Sequence, residues 1–299
     1  MLKFGIIGTG WIAEEFVKGL QITEDLIFSA LYSRTEEKGR AFAEKFGGAE
    51  IFTDINEFAE SDIDAVYIAS PNSLHYEQSR LMLKNGKHVL CEKPITATPE
   101  QFGYLRKLAD SKNLIYTEAI MYLHLPEKDV LSQAVTKIGK ITSAHFDFSQ
   151  LSSKYEALKR GELPNIFNPE FATGCLMDLG IYCIYPALEL FGKPEKITAS
   201  SGLLSTGADG YGTAIFDYSD KQVTLTYSKL GQDRCGSQIC GDEGTIILPS
   251  VSKLTEMRLY DNEGNASVIS RDKDKHILMY YEAKNFAEFL WKTDIRKFP

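Results

Sequence analysis

The chain has 299 residues, 43% hydrophobic and 25% charged, which suits about two domains with cores of their own and excludes wholesale disorder. With 41 acidic residues against 33 Lys and Arg, a net charge of −8 and no basic run, it is a poor match for nucleic acid or an anionic membrane. A phosphorylated small molecule is still allowed, because backbone donors at a helix N-terminus hold anions locally.

Cys91, Cys175, Cys183, Cys235 and Cys240 form no C-x-x-C pair. Isolated, buried, reduced thiols in a cytoplasmic protein are therefore expected, rather than a zinc cluster or a disulfide framework. Met1–Gly8 is apolar for about one strand and lacks the plan of a signal peptide. No apolar run approaches the ~20 residues of a membrane helix.

In chain order, Leu2–Gly8 reads as a buried strand and Trp11–Leu20 as a helix. Strands follow at Leu26–Ser33, Ile51–Thr53, Asp64–Ser70, His88–Glu92 and Leu114–Thr117. Helices lie between them at Glu36–Phe46, Ile55–Ala59, Leu74–Asn85 and Glu100–Lys112. Strands alternating with helices predict βαβ units and a parallel sheet of Rossmann type. After about residue 120 the pattern changes. A helix at Pro126–Lys137 and a strand at Ile141–Phe148 precede a polar stretch from Ser152 to Thr173, then an apolar helix at Leu176–Phe191. Short strands such as Gly212–Tyr218, Gln222–Tyr227, Thr245–Leu248 and Met257–Tyr260 predict a mainly antiparallel, open sheet, and a last helix is placed at Tyr280–Trp291. The expected division is a nucleotide-binding α/β domain over 1–118 and an α+β substrate-binding and dimerisation domain over 119–299.

The first strand runs into Gly8-Thr9-Gly10-Trp11-Ile12-Ala13, a G-x-G-x-x-A turn between strand and helix. Gly8 permits the tight turn, Gly10 lets a pyrophosphate approach the backbone, and Ala13 lets the helix pack close, with Trp11 and Ile12 opening the helix beside the anion. A dinucleotide site is expected here. At the tip of the second strand an NAD site usually carries Asp or Glu; this chain has Ser33-Arg34. Ser33 can donate to a phosphate and Arg34 can pair with it, which favours NADP, with NAD the alternative.

Two further turns lie at strand ends: Ser70-Pro71-Asn72-Ser73-Leu74-His75 and Cys91-Glu92-Lys93-Pro94. With Gly8–Ala13 and Asp178–Tyr182, they make the chain resemble the Gfo/Idh/MocA oxidoreductase family over almost its whole length, closest in motif to its dihydrodiol dehydrogenase-like branch. The resemblance implies an NAD(P)-dependent oxidoreductase moving a hydride between the nicotinamide and a secondary alcohol or ketone of a sugar, polyol or vicinal diol. Lys93 would then stand beside the nicotinamide and the substrate hydroxyl, Pro94 would restrict the backbone that aims it, and Ser70, Pro71, Asn72, His75 and Glu92 would belong to the cofactor face. Asp178 and Tyr182 are four apart, hence on one face of a helix. Many members have His where this chain has Tyr182. In the dihydrodiol branch a Tyr serves as acid–base instead, with a nearby ammonium favouring the phenolate, and Asp178 would position it or the substrate. Leu123 replaces an Arg common in the family, and Phe146, Phe148 and Tyr155 are candidate pocket walls. The family also contains a non-catalytic cofactor-binding regulator and redox-neutral NAD-dependent glycosidases; both are alternatives. A homodimer is the expected assembly, and no metal site is expected. Members commonly continue with a further helix after the one placed at Tyr280–Trp291, so Lys292–Pro299 would mark a short member or a shortened chain.

Overall fold

The structure, a computed structural model, describes residues 1–293, and the chain separates into two compact units. In the first unit, β1 (Leu2–Ile7), α1 (Trp11–Leu20), β2 (Leu26–Tyr32), α2 (Glu36–Ala43), β3 (Glu50–Phe52), α3 (Ile55–Glu60), β4 (Ala65–Ile68), α4 (Asn72–Lys84), β5 (His88–Glu92), α5 (Pro99–Ser111) and β6 (Tyr116–Ala119) follow in strict alternation. All strand pairs are parallel, in the order β3-β2-β1-β4-β5-β6. The order reverses between β1 and β4, so the carboxyl ends of β1, β4 and β5 share one edge, where ligands bind in such sheets. The Rossmann expectation holds.

Boundaries moved where local chemistry decides them. α2 tightens into a 3₁₀ turn over Glu44–Phe46 and stops at Gly47, whose φ of 88° suits glycine. The last strand starts at Tyr116 rather than Leu114, because Asn113 is left-handed (φ 55°) and the Leu114 N–H still closes onto Ala109 of α5. α4 begins at Asn72, two residues early, because Leu74 N–H already bonds to the Pro71 carbonyl.

The second unit contains α6 (Met121–His124), α7 (Glu127–Val135), β7 (Ile141–Ser149), α8 (Tyr155–Lys159), α9 (Ile181–Phe191), β8 (Lys196–Leu203), β9 (Asp209–Asp217), β10 (Gln222–Ser228), β11 (Ser237–Gly241), β12 (Gly244–Leu248), β13 (Arg258–Asp261) and β14 (Ala266–Val268). The strands form one sheet, β14-β13-β12-β11-β7-β10-β9-β8, antiparallel except for β7 beside β10. The mainly antiparallel sheet holds, and β8, β11 and β14 add strands that no pattern singled out. Phe146, Val223 and Leu225 are buried on the face that α9 covers, whereas Tyr211 and Thr213 of β9 are exposed on the other.

Four expectations need correction. The helix placed at Leu176–Phe191 is a π-helix over Leu176–Gly180 that becomes α-helical from Ile181. Among the described residues, Pro169–Phe191 does have the length and hydropathy of a membrane span. It is nonetheless the segment that packs on β7 and β10 of the sheet, which is why it is apolar. The chain order puts the closing helix α10 (Lys275–Thr293) in the second domain, but it packs against α1, and the chain from Asp274 groups with residues 1–120. Leu278, Ala283, Phe286 and Leu290 are its buried stripe. The segment after Thr293 lies outside the described residues. All five thiols are free; Cys91, Cys175 and Cys183 are buried as expected, but Cys235 is exposed.

Candidate active site

The candidates of the first unit lie on the edge formed by β1, β4 and β5. Gly8 has φ +116°, and a Cβ there would lie 2.6 Å from the Ala69 carbonyl oxygen. Gly10 is the N-cap of α1 with no side-chain cap, and a Cβ on it would meet nothing within 4 Å. No atom stands where a Gly10 side chain would lie, so a pyrophosphate can approach the N-terminus of α1 there. Ala13 is fully buried, as close packing requires, and Ile12 is half-buried. Trp11 is 67% exposed, with the Lys275 ammonium 5.8 Å from its ring. At the tip of β2, Ser33 is buried and its N–H bonds to the Phe52 carbonyl, so Arg34, exposed beside it, is the accessible group. Thr35 caps α2 without a side-chain hydrogen bond, and Glu36 pairs with Arg40 one turn on. An open helix N-terminus beside a guanidinium, with no acid at the strand tip, fits the ribose phosphate of NADP.

The tips of β4 and β5 are tied together. Phe16 of α1 stacks on Tyr67 (3.8 Å, 7°), and the Tyr67 hydroxyl donates to Glu92. The other Glu92 oxygen accepts the Lys93 N–H at 3.2 Å. Lys93 is half-buried, and the Lys93–Pro94 bond is cis. Beyond it, Ile95 N–H donates to Glu118 at 2.7 Å. Ser70 donates to Gln78 at 2.6 Å; Pro71 is exposed, and Asn72 starts α4 half-buried. Glu92 is thus a brace for the lysine turn. Tyr67, Gln78 and Glu118, which support these turns, carry no motif by which a sequence would flag them.

The resemblance puts His75 on the cofactor face. It is fully buried, with Nδ1 2.8 Å from the Pro94 carbonyl and Nε2 2.9 Å from the Ser70 carbonyl, so it clamps the two turns together and presents neither nitrogen to a ligand. A neutral ring can donate through one nitrogen only. Protonation would complete the second bond but bury a charge, and burial wins, holding its pKa below the ordinary value. The unfolded chain then binds the proton more readily than the folded one. His75 therefore contributes stability above pH ~6.5 that is lost as pH falls toward its lowered folded value. The melting temperature should drop between pH 7 and pH 5, and a His75→Gln variant, measured by circular dichroism, should show a shallower drop; an identical slope contradicts the clamp.

The second unit supplies the other candidates. Asp178 lies in the π-helical turn and Tyr182 just past its junction with α9, so the plain α-helical i, i+4 relation does not apply. π-helical turns occur often at functional sites. Tyr182 meets Phe148 edge-on, with ring centroids 5.3 Å apart at 74°. Asp178 forms an ion pair with Lys229 at 3.0 Å. The sequence carries no sign of Lys229, because a lysine following an alternating strand reads as solvated. Phe146 is fully buried core, packed near Phe191, and Tyr155 packs near Phe167. No cluster of His, Cys, Asp and Glu that could hold a metal occurs among the described residues.

A model of the Gfo/Idh/MocA oxidoreductase family, with its NAD-binding Rossmann fold, matches residues 2–120, and one of the family's C-terminal domain matches residues 134–247. The scyllo-inositol 2-dehydrogenase (NADP(+)) of Bacillus subtilis (strain 168) is 38% identical over 291 residues, 97% of this chain and 88% of the relative. The trans-1,2-dihydrobenzene-1,2-diol dehydrogenase of Xenopus laevis is 30% identical over 258 residues, 83% of this chain and 75% of the relative. Among solved structures, KijD10, a 3-ketoreductase from Actinomadura kijaniata in complex with TDP-benzene and NADP, matches with a TM-score of 0.83 at 22% identity, covering 98% of this chain and 90% of that one. That likeness speaks for the fold. The chain belongs to the Gfo/Idh/MocA family and is an NAD(P)-dependent oxidoreductase.

Proposed function

We propose that the protein is an NADP-preferring dehydrogenase or reductase acting on one secondary alcohol or ketone of a cyclic polyol, sugar or vicinal diol. The observation that carries the reading is the shared edge of β1, β4 and β5, where an open helix N-terminus and the braced lysine turn belong to one sheet. Relatives acting on scyllo-inositol and on a dihydrodiol, at 38% and 30% identity, support the substrate class. The bound cofactor accepts or supplies a hydride at its nicotinamide ring. The chain's own groups handle the proton. The Lys93 ammonium polarises the reacting oxygen and helps lower the barrier to its deprotonation. Tyr182 takes the proton as the phenolate when the alcohol is oxidised and returns it as the phenol when the ketone is reduced, and Asp178 orients the substrate. Gly8, Gly10, Trp11 and Ile12 take the pyrophosphate end, with Ala13 buried behind them as the close helix–strand contact. Ser70, Pro71, Asn72 and Pro94 shape the nicotinamide end, while His75 and Glu92 hold these turns from behind.

Arg34 makes the cofactor preference testable. Arg34→Ala should weaken NADPH binding about tenfold, the loss of one charge-assisted phosphate contact, while NADH binding stays within about twofold. Titration followed by quenching of the exposed Trp11 reads both constants. An equal loss for the two cofactors contradicts the assignment. We further read the protein as cytoplasmic, on its free thiols, and as a homodimer joined through the uncovered face of the eight-stranded sheet, where Tyr211 and Thr213 are exposed. Neither nucleic acid nor a membrane is a partner on this reading, in keeping with the charge of −8.

A further inference from the structure

Lys229 follows the last residue of β10 and is 2% exposed. A buried ammonium has to be matched by acceptors. Here they are Asp178 Oδ2 at 3.0 Å and the Ile166 carbonyl at 3.4 Å, with the Phe167 ring centroid 5.9 Å away. Its main chain is pinned as well: the N–H donates to Gly210 and the carbonyl accepts from Ser152, both at 2.9 Å. The other acidic groups nearby are already engaged or neutral. Asp209 accepts the Leu176 N–H at 2.7 Å, at the start of the π-helical turn, and burial pushes the Cys175 thiol up to about 12. Asp178 is the carboxylate that stands at ion-pair distance from the Lys229 ammonium. The pair is lopsided: Lys229 is sealed at 2%, while the Asp178 side chain keeps 28% exposure. The lysine grips the carboxylate from the buried side and cannot itself reach a substrate.

We propose that Lys229 is a positioning residue for substrate binding in the second unit, acting through Asp178 and coupling the turn at Asn165–Phe167 to that carboxylate. This rests on the reading that Asp178 faces the substrate. Loop 165–167 and the π-helical turn come from separate parts of the polar and apolar stretches of the second unit, and the Lys229 ammonium is one group that touches both.

The test is a double-mutant cycle on the full chain, using the best-turned-over compound of a polyol, sugar and diol panel. Asp178→Asn should lower kcat/KM at least tenfold. Lys229→Met should also lower it at least tenfold, Lys229→Arg should recover it to within about threefold, and NADPH affinity by Trp11 quenching should stay at the wild-type value in all. On the Asp178→Asn background, Lys229→Met should cost less than about twofold, because its route of action is already gone. Wild-type kinetics for Lys229→Met, or a further tenfold loss on the Asp178→Asn background, overturns the inference and leaves the reading of Asp178 intact. Wild-type kinetics for Asp178→Asn overturns that reading and the inference with it. If Lys229→Met alone does not fold, the Lys229→Met/Asp178→Asn double variant still decides. It removes the stranded charge, and recovery of folding with kcat/KM equal to that of Asp178→Asn supports the coupling. A double variant that folds no better, or is tenfold less active than Asp178→Asn, refutes it.

Discussion

Replacing Lys93 with alanine should lower kcat by about a thousandfold, within the range that a positioned proton-handling group contributes, while the Kd for NADPH stays within about threefold of wild type. The two halves of this expectation come from different parts of the structure. The turn that carries Lys93 is held by its backbone: its N–H bonds to Glu92, Glu92 is braced by Tyr67, and the Pro94 carbonyl is clamped by His75. Truncating the side chain leaves these bonds in place, so the cofactor edge keeps its shape. What is lost is the ammonium at the carboxyl end of β5. Lys93→Arg should not restore turnover, because a guanidinium is bulkier, planar and spreads its charge, and so cannot set a compact ammonium against the reacting oxygen. Steady-state kinetics and Trp11 quenching on the same samples separate the two effects. Unchanged kcat, or a collapse of NADPH binding, contradicts the role given to Lys93.

Gly8→Ala should destabilise the first unit by about 3 kcal/mol and weaken NADPH binding at least a hundredfold, the scale of a forced backbone conformation combined with a buried clash. At φ +116° a Cβ is already strained, and it would sit 2.6 Å from the Ala69 carbonyl. That carbonyl cannot retreat cheaply, since the Ala69 N–H is bonded to Ile7 at 2.8 Å and β4 is locked between β1 and β5. Gly10→Ala is the matched control. Gly10 has ordinary extended backbone (φ −81°), and its Cβ would meet nothing within 4 Å. That variant should melt close to wild type yet bind NADPH at least tenfold more weakly, because the added methyl stands in front of the helix N-terminus. Thermal melts and cofactor titrations of the pair are the check. A Gly8→Ala protein as stable as wild type, or a Gly10→Ala protein with full NADPH affinity, contradicts the placement of the pyrophosphate.

The first unit was legible because its signals are local. The Gly8–Ala13 turn, the apolar strands and the glycine or proline after several elements, such as Gly47, Pro71 and Pro94, place most of it within a residue or two, and parallel order follows from the alternation. The second unit was legible as a class but not in detail. β8 is exposed along nearly its whole length, so it offers no hydrophobic alternation to detect, and β14 is three residues long and exposed throughout. α10 was read as a helix but not as part of the first unit, because its partner α1 lies more than 250 positions away in the sequence and nothing local records that packing. The candidate site shows the same division. Lys93, Asp178 and Tyr182 stand out through their motifs. His75 also stood out, but its two carbonyl partners make it a clamp, which no spacing reveals. Lys229 was hidden because a lysine reads as solvent-facing until its burial is seen. The π-helical turn at Leu176–Gly180 was hidden because its composition is that of an ordinary apolar helix.

The account is tested most directly by incubating the protein with NADP+ and a panel of cyclic polyols, sugars and vicinal diols carrying deuterium on the secondary alcohol carbons, then weighing the cofactor by mass spectrometry. A hydride-transferring dehydrogenase of this class should yield NADPH one mass unit heavier with at least one member of the panel, in a reaction that Lys93→Ala abolishes. Cofactor that binds tightly but acquires no deuterium from any member, or a substrate cleaved while the free cofactor pool stays unlabelled and oxidised, would contradict it, pointing to a regulator in the first case and to a redox-neutral enzyme in the second.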